Sequence, residues 1–224
     1  MIEQWLGYTL QDVILFSSET YWRLFERHNT SLWPLPVISQ AAGAGLAVAI
    51  VLGQRWAGLT AFLALGLAWG SIAHAFLANL YEPINWAVAY VTPLFWFQAA
   101  LMVIFAPRLT FGNGGARPVI AVALAAVSLA YPVAGLIDGR PIAQSEVLGM
   151  APDPTAVATL AILTLATPGW CRLLLSLLPA AWLAVSATTL LAMNLATGWL
   201  PLAALGLAIA AQILPMSKSR RQQV

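Results

Sequence analysis

Charged residues divide this chain into long apolar intervals, and the intervals have the length of membrane-spanning helices. Between Arg27 and Lys218 the uncharged stretches run 28–54, 56–81, 83–107, 118–137, 154–171 and 173–217. A helix rises about 1.5 Å per residue and needs about 20 residues to cross a hydrocarbon core of ~30 Å. Each of the first five intervals accommodates one crossing. The last is 45 residues long, enough for two, and Asn194, Gly198 and Pro201 mark its turn. The pattern predicts seven helices, near 36–53, 57–77, 84–106, 118–137, 154–168, 171–192 and 199–215. The fifth is short for a full crossing. Ahead of them, Leu10, Val13, Ile14, Tyr21, Leu24 and Phe25 recur at helical spacing, while Gln11, Asp12, Arg23, Glu26 and Arg27 take other faces. That is the signature of an amphipathic segment at the membrane interface. Ser17 or Ser18, followed by Glu19, is the expected N-cap that divides it into two short helices.

Composition supports the same picture. The chain has 224 residues, 61% hydrophobic and 8% charged, with mean hydropathy +0.82. A soluble domain carries about 25% charged residues, so soluble, disordered and disulfide-scaffold classes are excluded. The single cysteine, Cys171, permits no internal disulfide. The first residues lack the basic start and uninterrupted apolar stretch of a signal peptide. Charge sidedness then fixes the threading. Seven alternating crossings place Arg55, Arg108, Arg117, Arg172, Lys218, Arg220 and Arg221 on one face with no acid. The other face receives all eight acids and only Arg23, Arg27 and Arg140. By the positive-inside rule the C-terminus is cytoplasmic and the N-terminus outside. Trp33, Trp56, Trp86, Trp170 and Trp199 fall at predicted span ends, as interfacial belts require. The domain reading is an amphipathic segment at 1–33, a seven-helix transmembrane domain at 34–216 and a basic tail at 217–224.

Candidate chemistry is sparse. No nucleotide-binding, zinc-protease or serine-hydrolase motif is present, and no basic–aromatic stretch suggests nucleic acid. Gly112-Asn113-Gly114-Gly115 reads as a connector. Within the spans the polar groups are His74, Gln40 and Gln98, of the kind that hydrogen-bonds between helices. Small residues, such as Ala41, Gly45 and Ala49, or Gly66 and Gly70, read as ordinary close packing. The outer face is richer: His28 and Asn29, the turn with Glu82 and Asn85, and the loop from Asp138 to Asp153. Two histidines and several carboxylates are metal-ligand types, but without tight spacing. The candidate ligand-binding set is His74, Glu82, Asn85, Glu146, Asp153 and Thr155. These are expected to converge near the outer surface, where Asp153 and Pro154 open the short fifth helix.

Several stretches resemble a known group of sequences: Phe16-Ser-Ser-Glu-Thr-Tyr-Trp-Arg-Leu-Phe-Glu26, Asn29-Thr-Ser-Leu-Trp-Pro34, Trp69-Gly70 with His74, Ile84-Asn85, Tyr131-Pro132, and Gly149-Met-Ala-Pro-Asp-Pro-Thr155. Together they resemble a family of bacterial multi-pass membrane proteins catalogued as a domain of unknown function. The resemblance implies a bacterial inner membrane and a shared outer-side architecture; it implies no activity and no cofactor. The expected fold is an all-α membrane bundle. The expected role is a non-enzymatic accessory or stabilising subunit in the lipid bilayer, with a membrane-protein partner or a second copy of itself. The alternative is a small permease or channel for a solute or metal ion, with a polar route through Gln40 and Gln98.

Overall fold

A computed structural model describes residues 17–111 and 116–214. The chain before Ser17, the 112–115 connector and the tail after Leu214 lie outside the described residues, and with them the reading of 1–16 and of the basic tail. The described chain is helical; its β-type pairing is one isolated bridge between Phe111 and Ala166. Eight α-helices follow in order: α1 (Ser18–Ser31), α2 (Leu35–Val51), α3 (Ala57–Ser71), α4 (Val88–Phe105), α5 (Arg117–Ala134), α6 (Pro152–Leu165), α7 (Trp170–Ala192) and α8 (Trp199–Ile213). Helix α3 continues as a π-helix through Ile72–Tyr81, where the Glu82 amide donates to Leu77 O, five residues back. All seven expected segments are thus helical. Among the described residues, four stretches are long and apolar enough to cross a membrane: Ala57–Tyr81, Val88–Arg108, Arg117–Asp138 and Trp170–Ala192. A fifth is reached by joining α1 and α2, which bend by 88° at their break.

The packing follows from which helices must hide from lipid. Neighbour contacts run α2, α3, α4, α7, α8, α5 and back to α2, a closed ring of six. Helix α6 lies inside it, against α3, α5, α7 and α8, and every residue of α6 but Ala158 is buried. This explains why the fifth segment is short. An enclosed helix need not match the bilayer thickness, because protein rather than lipid surrounds its ends. Its threonines suit that position: the Thr155, Thr159 and Thr164 hydroxyls donate to the carbonyls of Ala151, Thr155 and Leu160, one turn back. Thr159 also accepts the indole N–H of Trp69 at 2.9 Å, tying α6 to α3.

Small residues set the close approaches. A Cβ on Gly66 or Gly70 would meet Met102 Cβ at 3.2 Å or the Trp96 ring at 3.3 Å, so the Gly66-to-Gly70 pair serves α3–α4 contact inside the chain. Gln40 donates to Leu129 O between α2 and α5, and Gln98 to Leu175 O between α4 and α7. The two glutamines belong to different interfaces. Trp33, Trp56, Trp86, Trp170 and Trp199 are each more than half exposed at helix ends.

Candidate functional site

The expected outer loop is an inserted segment. After the α5 extension Gly135–Asp138 the chain turns at Gly139, and from Ser145 to Leu148 it is buried. Backbone at that depth must find internal partners. It does: Asn29 Nδ2 donates to Ala143 O and Ser145 O, Ser145 Oγ to Pro132 O, Ser39 Oγ to Leu148 O, and the Gly149 amide to Thr155 Oγ1. Gly149 has φ +79°, the left-handed region that favours glycine. A Cβ there would also strike Ser39 Oγ.

Helix α1 covers this segment. Ser17 caps it, its hydroxyl accepting from the Thr20 amide at 3.2 Å. Tyr21, Trp22, Leu24, Phe25 and His28 form its buried face, against Phe76 and Tyr81 of the π-helix. The amphipathic stripe therefore meets protein rather than bare lipid. Burial holds the His28 imidazole down at about 4 despite its hydrogen bond to the Met150 backbone.

Between α1 and α6 lies a buried charged cluster. Asp153, in the first turn of α6, accepts from the Trp182 indole at 2.7 Å and from the Ser186 hydroxyl, both on α7. Asp138 accepts from the Ala196 amide at 2.9 Å and from the Thr197 hydroxyl, fixing the α7–α8 turn. Arg140 stands between Asp138 and Glu146. Its guanidinium lies 3.5 Å from the Trp22 ring centroid and 3.9 Å from both Asp138 and Glu146. Glu146 is 4% exposed, and that contact with Arg140 is its closest charge pairing. Burial, aggravated by Asp153 and only partly relieved by Arg140, raises its carboxyl to about 8. Tyr131 is 3% exposed and its hydroxyl has no hydrogen-bond partner among the described residues. Its helix face touches Pro154 through Ser128 and Ser145 through Pro132, so the phenol sits beside both carboxylates.

Of the expected site residues, Glu146, Asp153 and Thr155 come together here. His74, Glu82 and Asn85 do not join them. His74 is exposed on the far side of the π-helix, its ring 6.4 Å from Trp96, while Ala73, Phe76 and Leu77 take the buried side. Glu82 and Asn85 are half-buried at the following turn, and Asn85 caps the Ala87 amide. Asn85 reaches the cluster only indirectly, through the Tyr81 hydroxyl. Sequence reasoning missed Arg140, Trp182, Ser186 and Tyr131 as members. The Tyr131-Pro132 pair was a usable signal; Trp182 and Ser186 lie mid-helix with no spacing that set them apart and gave none. Among the described residues no three His, Cys, Asp or Glu side chains are grouped so as to hold a metal ion.

No curated protein and no solved structure matches the chain. The model of a family of unknown function, DUF6064, matches residues 18–223, which include every residue of the buried charged cluster, and the chain belongs to that family.

Proposed function

We propose that this protein is a non-enzymatic component of a bacterial inner membrane, crossing it seven times with the N-terminus outside. In this reading it is an accessory subunit packed against a larger membrane assembly. The observation that carries the reading is the filled centre. Helix α6 occupies the axis along which a solute would pass, and its polar side chains are bonded to its own backbone, to Trp69 and to α7. The intramembrane glutamines serve separate helix pairs.

The partner surface is the α3–α4 seam, a shallow groove lined by Gly66, Leu67, Gly70, Ser71, His74 and Trp96. Its occupant is a transmembrane helix of another protein with a polar side chain. Acyl chains offer an outward-facing imidazole no hydrogen bond, whereas such a helix does. Photo-crosslinking from position 67 in native membranes tests this. One membrane protein captured at 1:1, and lost with His74→Leu, is the expected result; capture of lipid alone refutes it.

A permease reading is favoured by one observation, the unpartnered Tyr131 hydroxyl beside Glu146 and Asp153. Solute uptake by liposomes containing the purified chain, abolished by Tyr131→Phe, would favour that reading over the first.

A further inference from the structure

At the end of the bundle opposite α1, two arginines are buried without an acidic partner. Arg117 opens α5, Arg172 stands in the first turn of α7, and each is 4% exposed. Arg117 directs Nε and Nη2 to Leu214 O, at 2.9 and 2.6 Å, and its Nη1 has no partner among the described residues. Arg172 Nη1 makes a long contact to Ala166 O at 3.5 Å, and its Nε has no partner among the described residues. The two guanidinium groups are close enough to repel one another.

Nothing described neutralises them. The ion pairs among the described residues join Arg23 to Glu19, and Arg140 to Asp138 and Glu146. The adjoining stretches 112–115 and 215–224 contain no Asp or Glu. Two helix N-termini add partial positive charge at the same place. Burying two cations under these conditions is costly unless an anion compensates.

We propose that this end of the bundle binds the phosphate of an anionic phospholipid, held by the guanidinium groups of Arg117 and Arg172 at the N-terminus of α7. Guanidinium forks match phosphate oxygens, and helix N-termini receive anions. The depth favours a headgroup over a soluble anion. Trp170, two residues before Arg172, is exposed and stacks edge-on with Phe105 at 5.2 Å, which places the site at the belt where headgroups lie. Basic pockets between spanning helices are known to take anionic headgroups.

The full-length protein in neutral detergent provides the test, with thermal unfolding followed by tryptophan fluorescence and bound lipid counted by native mass spectrometry. Phosphatidylglycerol is expected to raise Tm and remain bound at one molecule per chain, while phosphatidylcholine and inorganic phosphate do neither. Arg172→Gln should weaken phosphatidylglycerol binding by about tenfold, the effect of one lost charge-assisted hydrogen bond. Arg55→Gln, an exposed arginine at the same end, should bind as the parent does. Arg117→Gln also removes the tie to Leu214, so Arg172→Gln carries the test, with Arg172→Lys retaining charge and losing the fork. Equal effects of the two lipids, or unchanged binding in Arg172→Gln, overturn the proposal. Inorganic phosphate acting as strongly as the lipid overturns the lipid assignment in favour of a soluble anion.

Discussion

Arg140 is the residue on which the buried charged cluster turns, because it meets Asp138, Glu146 and the Trp22 ring at once. Removing a buried charge leaves its partners uncompensated, so Arg140→Ala should destabilise by about 3 kcal/mol in thermal unfolding. Asp153→Ala should cost at least about 2 kcal/mol by the same measurement, since it orphans the donors of Trp182 and Ser186. Two titrations act in opposite directions. His28 is neutral when folded down to about 4 and ordinarily titrates at 6.5, so its contribution is lost as pH falls below 6.5. Glu146 is held protonated above its ordinary 4.5, so its contribution is lost as pH rises from there towards the folded value. Burial raises the Asp153 carboxyl too, so Asp153 adds to the Glu146 effect and the parent loses stability as pH rises from 4.5 to 6.5. Glu146→Gln should therefore lose less stability with rising pH than the parent across this window, and His28→Asn more, each slope differing by up to about 1.4 kcal/mol per pH unit. Parent-like profiles in both variants would contradict these assignments.

At the scale of elements, the inserted 139–151 segment has one 3-10 turn of its own, Ile142–Gln144, and is otherwise held by its neighbours. Asn29 of α1 supplies two of its hydrogen bonds. Asn29→Ala should accelerate amide exchange in residues 139–151 while leaving α6 protected, with a loss of roughly 1–3 kcal/mol. Gly135 gives a second handle. A Cβ there would fall 2.8 Å from the Arg140 guanidinium carbon, which is fixed on its other side by Trp22. Gly135→Ala should thus reproduce part of the Arg140→Ala defect, about 1–3 kcal/mol, without removing a charge.

For the whole molecule, seven crossings make a prediction that four or five do not. Reporter fusions after Arg55, Gly114 and Lys218 should read cytoplasmic, and fusions after Glu82, Glu146 and Gly198 external; a reversal between neighbours would refute the threading. The helices themselves were legible in the sequence, since the charge-free intervals and turn residues that delimit α2 to α8 are local features read in order along the chain. The pairing of Glu146 with Asp153 and Thr155 was legible for the same reason: one short segment carries all three. What the sequence left open was direction around each helix axis. His74 and Ala73 are adjacent in the chain, yet one faces outward and the other inward, because hydropathy in a span is high on every face and periodicity weakens as a guide. Only the packing of six helices around α6 decided which side chains met. It turned His74 away, brought Trp182 and Ser186 of α7 onto Asp153, and set Arg140 beneath Trp22. Those contacts join residues tens of positions apart through the order of helices in the ring, which no local pattern along the chain encodes.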